Sequence, residues 1–484
     1  MKRTSLLLAL VLLFTVSVIC SGCSNQKLER TSYDITCTLD GNLLSGVEKV
    51  QFYNTSENAF SELKFNLFGN AFRKDAKHSP IGAEYVNRAY PNGISYGDMQ
   101  IVNVTSNGTK LDFSICGEDK NILSVCLEDS VFPEQKVQVE IEYKLNLANV
   151  IARTGINSDA VNLANFYPIL CGLDQNGFYE CVYYSNGDPF FSDVADYKVC
   201  LTADSKYTVA SSGVLTEKHS ENGKTVSNYT LDNARSFAFV LSEKFHVLTD
   251  NSTGVEINYY YYDDQTPEKS LEYAIRSFNT FSETFGGYAY STYSVVQTEF
   301  LQGGMEFPAL VMISDKLEPN AYGEVIVHET AHQWWQTGVG NNEIEYGFLD
   351  EGLAEYSVVY FYEKFPEYGY TRGNLINASE KTYKVFCSVY DKIFGNVNTV
   401  MVRSLKDFKN EYEYVNISYV KPCIMYDYLR KTVGDETFFK GLKKYYKEYC
   451  FKNATPDDLV GIYEKLGSGT NGFFESFFDG KVII

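Results

Sequence analysis

One short run, Val327-His328-Glu329-Thr330-Ala331-His332, constrains this chain more than any other feature. Histidines four residues apart on a helix share one face and can chelate a single ion, and only five histidines exist in the whole chain. Zinc asks for a third protein ligand, and Glu351 follows His332 after 18 residues, near the start of a second helical segment. Two imidazoles and one carboxylate leave the fourth tetrahedral position open to water, as a catalytic rather than a structural zinc requires. A single zinc ion per chain is expected. Glu329, turned about 100° from its neighbour His328, reaches that water without ligating the metal and suits a general base. Glu355, one turn beyond Glu351, is placed to accept the second N–H of a ligating histidine; Glu324, one turn before His328, has similar reach. His78, His219 and His246 have no metal spacing and read as ordinary histidines.

The flanking text sorts into two halves, and 484 residues suffice for two or more domains. From Tyr33 to about Phe245, short runs alternate apolar and polar residues, as in Lys136 to Tyr143 and Ser236 to Leu241. Turn signals such as Ser106-Asn107-Gly108 and Asn222-Gly223 separate them, which predicts antiparallel β structure. The polar stretch Thr249 to Gly254 marks the expected border, giving a β domain over residues 33–250 and an α-rich catalytic domain over 251–484. In the second half, helical spacing covers Thr266 to Phe285, Ala321 to Gln336, Asp350 to Lys364, Ser418 to Arg430, Glu436 to Tyr449 and Asp457 to Lys465. Tyr293 to Phe300 and Ala309 to Ile313 read as strands.

At the amino terminus, Lys2 and Arg3 precede the apolar stretch Leu6 to Ile19, which is short for a permanent span and reads as a signal peptide over residues 1–22. It ends in Cys20-Ser21-Gly22-Cys23, which resembles the bacterial lipobox, although Cys20 stands where Leu is usual. The resemblance implies lipidation of Cys23, a tether over residues 23–32, and an extracytoplasmic protein anchored to the bacterial cell membrane. Nine cysteines follow Cys23 without C-x-x-C spacing, so neither a metal ribbon nor complete internal pairing is read from them. The formal net charge of −20 repels a nucleic-acid backbone, and none is expected as a partner.

His328-Glu329-x-x-His332 with Glu351 resembles the zinc signature of the aminopeptidase N-type gluzincin metallopeptidases. His332-Gln333-Trp334-Trp335 and Leu349-Asp350-Glu351-Gly352-Leu353-Ala354 are similar to the family's flanking runs. Upstream, Gly303-Gly304-Met305-Glu306-Phe307 resembles the G-x-M-E-N strand, with Phe307 where Asn is usual. The resemblance implies that Glu306 binds the free amino group of a peptide substrate, with Gly303, Gly304 and Met305 beside it. Downstream, Ser418-Tyr419-Val420-Lys421-Pro422 resembles the S-Y-x-K-G segment with Pro422 in place of Gly, implying that Tyr419 stabilises the tetrahedral oxyanion. The implied architecture is a saddle-like β domain, to which Asp188-Pro189-Phe190-Phe191 and Tyr207 to Gly213 are similar, followed by a thermolysin-like catalytic domain. The implied activity is removal of amino-terminal residues from peptides; a zinc endopeptidase on the same core and a non-catalytic surface binding lipoprotein are the alternatives.

Overall fold

The computed structural model describes residues 29–467 and 469–481. The signal segment 1–22, Cys23 and most of the tether lie outside them. Among the described residues, no helix is long and apolar enough to cross a membrane.

The amino-terminal half is β, as its alternation predicts. In Ser32–Asp40, Tyr33, Ile35, Cys37 and Leu39 are buried while the residues between them are exposed, so one face of the strand meets a core and the other meets water. An eight-stranded sheet runs in the order Val214–Glu221, Lys224–Ala234, Ala195–Asp204, Ser32–Asp40, Leu43–Tyr53, Lys136–Asn146, Asp98–Ser106, Thr109–Lys110. Its pairings are antiparallel except one: Ser32–Asp40 lies parallel to Ala195–Asp204, joining two stretches far apart in the chain. Two four-stranded sheets and a two-stranded one, Leu173–Asp174 with Gly177–Phe178, complete the described part of this half.

The second half opens with a five-stranded sheet ordered His246–Asp250, Glu256–Tyr261, Thr292–Thr298, Leu310–Ser314, Gly304–Phe307. The first strand of this sheet, His246–Asp250, lies just upstream of the border expected at residue 250. The polar stretch that suggested it is the turn of a hairpin, since His246–Asp250 pairs antiparallel with Glu256–Tyr261. Thr292–Thr298 is buried along almost its whole length because the sheet is covered on both faces. Tyr293, Val295, Val311 and Ile313 join the core that includes Phe278 and Trp334. Val296, Met305, Phe307 and Met312 instead pack with Ala160, Ala238 and Val240 of the β half. The edge strand Gly304–Phe307 is thus shared between the two domains.

Helices Pro267–Thr284, Tyr322–Ala331, Phe348–Lys364, Lys421–Val433, Asp435–Tyr449 and Pro456–Lys465 match the predicted segments to within a few residues, with one notable exception. The helix expected to reach Gln336 stops at Ala331, and Gln336 itself takes a φ of 103°, outside any helix. A further long helix, Arg372–Phe394, went unpredicted. All nine described cysteines are free.

Gly46 shows how tightly the β half is packed. It pairs directly with Tyr143 across the sheet, and a Cβ there would fall 2.4 Å from the Tyr143 ring. Gly46→Ala is expected to lower stability by about 1–3 kcal/mol through overpacking, measured by urea unfolding. An unchanged midpoint would contradict this packing.

Candidate metal centre

His328 and His332 project from the helix Tyr322–Ala331 and its C-cap, and Glu351 from the first turn of Phe348–Lys364, which packs beside it. The three donor atoms form a compact triangle: His332 Nε2 to His328 Nε2 is 3.0 Å, His328 Nε2 to Glu351 Oε2 is 3.2 Å, and His332 Nε2 to Glu351 Oε2 is 3.3 Å. Tetrahedral zinc with bonds of about 2.0–2.1 Å separates its ligands by roughly 3.3 Å, so the triangle fits that ion.

The outer nitrogens are fixed as a ligand set needs. His332 Nδ1 lies 2.9 Å from the Trp335 carbonyl, an acceptor only, so Nδ1 carries the proton and Nε2 presents its lone pair. Asp350 Oδ2 is 3.8 Å from the same Nδ1. His328 Nδ1 faces Glu355 Oε1 at 3.4 Å, the contact expected of Glu355, while Glu324 makes none with the ring. The electrostatics call for positive charge at the triangle. Burial would hold His332 neutral, yet the Glu306 and Glu351 carboxylates push it up to about 10. For Glu351 burial works the other way, and the two histidines bring it down to about 2.

Around the triangle lies a cavity of about 260 Å³. Glu329 enters it from the motif helix, 5% exposed, with Oε2 free of hydrogen bonds. Glu306 enters from the edge strand, 4% exposed, with Oε1 likewise free. Strand alternation explains its direction: Met305 and Phe307 face the β half, so Gly304 and Glu306 face the motif helix. Gly304 must be glycine, because a Cβ there would fall 2.3 Å from Glu329 Oε1. Burial raises both carboxyls, Glu306 to about 7 and Glu329 to about 8. Gln333 holds the strand against the helix, donating to the Phe307 carbonyl at 3.1 Å and accepting from the Ala309 amide at 2.9 Å.

Tyr419 sits in a π-type turn, Asn416–Val420, that runs into the helix Lys421–Val433. Its hydroxyl donates to Glu351 Oε1, and its ring stacks on His328 at 5.9 Å and 9°. The structure thus gathers His328, Glu329, His332, Glu351, Glu355, Glu306, Gly303, Gly304 and Tyr419 around one cavity, while Met305 turns away from it into the domain interface.

Other cavity residues are not read from the sequence as site residues. Arg153 and Asp188, both buried, form an ion pair contributed by the β half, and the Arg153 Nε lies 2.9 Å from Met305 Sδ. Glu411 and Tyr414 line the opposite wall. Behind Glu306, the carboxylates of Glu343 and Asp350 are buried, and burial raises both well above the usual range. Asp350 adjoins Glu351 in the chain, but the others have no fixed spacing from the motif, and only the folded chain brings them in.

Residues 269–478 match the Peptidase family M1 domain. Endoplasmic reticulum aminopeptidase 1 of Mus musculus is 24% identical over 266 residues, covering 51% of this chain and 27% of that protein. Aminopeptidase N of Streptomyces lividans is 27% identical over 208 residues, covering 40% of this chain and 24% of that protein. The matched segments therefore span about a quarter of these relatives' length. The crystal structure of a mutant M1 zinc metallopeptidase from Deinococcus radiodurans bound to a Tyr-Ser-Ala substrate superposes with a TM-score of 0.65 at 17% identity, covering 94% of this chain and 96% of that one. This chain shares that two-domain fold, and residues 269–478 of its helical half are similar to the Peptidase family M1 domain.

Lys421 anchors the Tyr419 turn. Its amine, fully buried, donates to the carbonyls of Thr399 at 2.5 Å and Phe477 at 2.8 Å, and burial lowers its pKa to about 7. Unfolded lysine titrates near 10.4. Between those values the unfolded chain binds the extra proton, so stability rises with pH from about 7 to about 10, by at most about 1.4 kcal/mol per unit, and is flat below. Urea unfolding at pH 7 and pH 9 is expected to show this rise in the wild type and its loss in Lys421→Met; equal slopes would refute it.

Proposed function

We propose, with the Peptidase family M1 domain of residues 269–478 as the premise, that this chain is a zinc-dependent aminopeptidase that releases single residues from the amino terminus of peptides. The observation that carries this reading is the pairing of the His328, His332, Glu351 triangle with a second buried carboxylate, Glu306, whose free oxygen opens on the same cavity. The aminopeptidase relatives and the peptide-bound metallopeptidase of the same fold support it.

His328, His332 and Glu351 would hold the metal. Zinc there supplies Lewis-acid polarisation of the scissile carbonyl and acidifies a water. Glu329, raised by burial, accepts the proton of the attacking water and delivers it to the leaving amine. Glu306 exchanges the solvation of the substrate α-ammonium for a buried ion pair, which rewards a free amino terminus and penalises a blocked one. Tyr419 donates its hydroxyl proton toward the developing oxyanion, turning from Glu351 Oε1 to do so. Glu355 keeps the His328 ring oriented. We further propose that the mature protein starts at a lipidated Cys23 and works outside the cytoplasmic membrane, a reading supported by the residue order from Lys2 to Cys23 alone.

Purified protein should bind one zinc and release amino-terminal residues from unblocked peptides, with activity lost to a chelator and restored by zinc. Glu329→Gln should lower kcat/KM by about 10²–10⁴, and Tyr419→Phe by about 10²–10³. Glu306→Gln should chiefly raise KM, and acetylated peptides should be refused. Internal cleavage of blocked peptides would replace this reading with an endopeptidase; stoichiometric zinc without hydrolysis across a broad peptide panel would replace it with a binding protein.

A further inference from the structure

Between the β half and the metal helix lies one arginine, Arg235, whose guanidinium is spent on main chain. Only 4% exposed, it donates from Nε to the Gln336 carbonyl at 2.9 Å, from Nη1 to the Ser192 carbonyl at 3.1 Å, from Nη2 to the Lys452 carbonyl at 2.7 Å, and to the Asn453 side chain. These partners come from the β half, from the segment just after His332, and from the turn between Asp435–Tyr449 and Pro456–Lys465. Gly340 makes room for it, since a Cβ there would fall 2.0 Å from Arg235 Cζ.

What Arg235 holds is the turn that orients a metal ligand. The motif helix ends at Ala331, and the chain then folds back tightly: Thr337 donates to the His332 carbonyl at 3.1 Å and Val339 to the Trp334 carbonyl at 2.9 Å. Gln336 completes the reversal with a φ of 103°, a conformation that a residue with a Cβ adopts only when its surroundings impose it. One residue earlier, the Trp335 carbonyl fixes the His332 Nδ1 proton at 2.9 Å and so aims Nε2 into the triangle. The Arg235 bond to Gln336 is therefore on the peptide unit next to the one whose carbonyl sets the His332 ring.

We propose that Arg235 is a positioning residue for the metal: from the β half, it clamps the strained Gln336 turn and thereby holds the Trp335 carbonyl where it orients His332. The inference rests on the reading of His328, His332 and Glu351 as zinc ligands. It makes metal affinity a property of the docked pair of domains rather than of the helical domain alone.

The test is zinc affinity by competition with a chromophoric chelator, on the full chain from Ser24, alongside thermal unfolding. Partners that orient a ligating histidine typically govern metal affinity by 10–100-fold, and Arg235 acts one step behind such a partner, so Arg235→Gln should raise the zinc Kd by about 10-fold. Arg235→Lys, which keeps the charge but loses the fork, should shift it less, and decides the matter if Arg235→Gln does not fold. Asn162→Ala is the control: Asn162 bonds the Thr298 side chain at 2.7 Å and the Glu299 carbonyl at 3.0 Å across the same domain boundary, away from the turn. It should lower the unfolding temperature while leaving the zinc Kd at the wild-type value. Wild-type affinity in the folded Arg235 variants, or an equal loss in Asn162→Ala, would overturn the proposal and leave the metal assignment standing. A wild-type chain that binds no zinc would overturn the metal assignment and this inference with it.

Discussion

Two imidazole nitrogens and a carboxylate oxygen, all within 3.3 Å of one another and largely buried, make an arrangement that positive charge stabilises. The surrounding fold works to hold that triangle closed. Each imidazole is fixed from behind by an oxygen, the Trp335 carbonyl for His332 and Glu355 for His328. The turn after the motif helix is in turn joined to the second ligand helix by an indole N–H: Trp335 Nε1 donates at 3.1 Å to Ser357 Oγ, which bonds back to the Leu353 carbonyl within that helix. A cation at the triangle therefore meets ligands already aimed, and little reorganisation is left for binding to offset.

The edge strand Gly304–Phe307 couples this centre to the β half. Alternate side chains on one strand point to opposite faces, so four residues suffice to dock one domain and furnish the cavity of the other. Met305 and Phe307 bury against Ala160, Ala238 and Val240, while Glu306 stands beside Glu329. Arg153 strengthens the coupling by lying between the Asp188 carboxylate and Met305, with the rings of Phe190 and Phe300 at 5.6 and 5.9 Å. The β half is accordingly one wall of the cavity, and this wall escapes any reading of the motif region alone.

What was legible in the sequence follows from the range of the forces involved. The metal triad declares itself because helical periodicity fixes His328 against His332, and the second helix and its carboxylate stand a short, countable distance away. The β half declares itself through alternation, as in Ser32–Asp40. The parallel pairing of that strand with Ala195–Asp204 has no local signal, since nothing in either strand specifies a partner more than 150 residues off. The helix Arg372–Phe394 was missed although Thr371 caps it, Gly395 ends it with a φ of 69°, and Ile376, Tyr383, Phe386 and Tyr390 mark its buried side. Its outer face carries Val385, Val389 and Ile393 among lysines, which blurs the contrast that periodicity relies on. The helix drawn on to Gln336 erred in the other direction, because the reversal after Ala331 is held by its own main-chain bonds and by a bond from Arg235 of the β half, which the local sequence does not announce.

The two departures from the family motifs become intelligible in the structure. Phe307 replaces an asparagine, yet its side chain lies in the domain interface, 2% exposed, and what meets the motif helix at that position is its carbonyl, which accepts from Gln333. A large apolar side chain is suited to that interface, and the main-chain bond does not depend on which side chain is present. Pro422 replaces a glycine at the start of Lys421–Val433, where the fixed φ of proline is compatible with the first helical turn. Its ring fills the space left by another glycine: a Cβ on Gly352, beside the ligand Glu351, would fall 2.5 Å from Pro422 Cβ. Gly352 and Pro422 thus form a complementary small–large contact that sets the separation between the helix bearing Glu351 and the helix behind Tyr419. Tyr419 reaches the ligand carboxylate from this second element, and Pro422 is accommodated by the packing around the site.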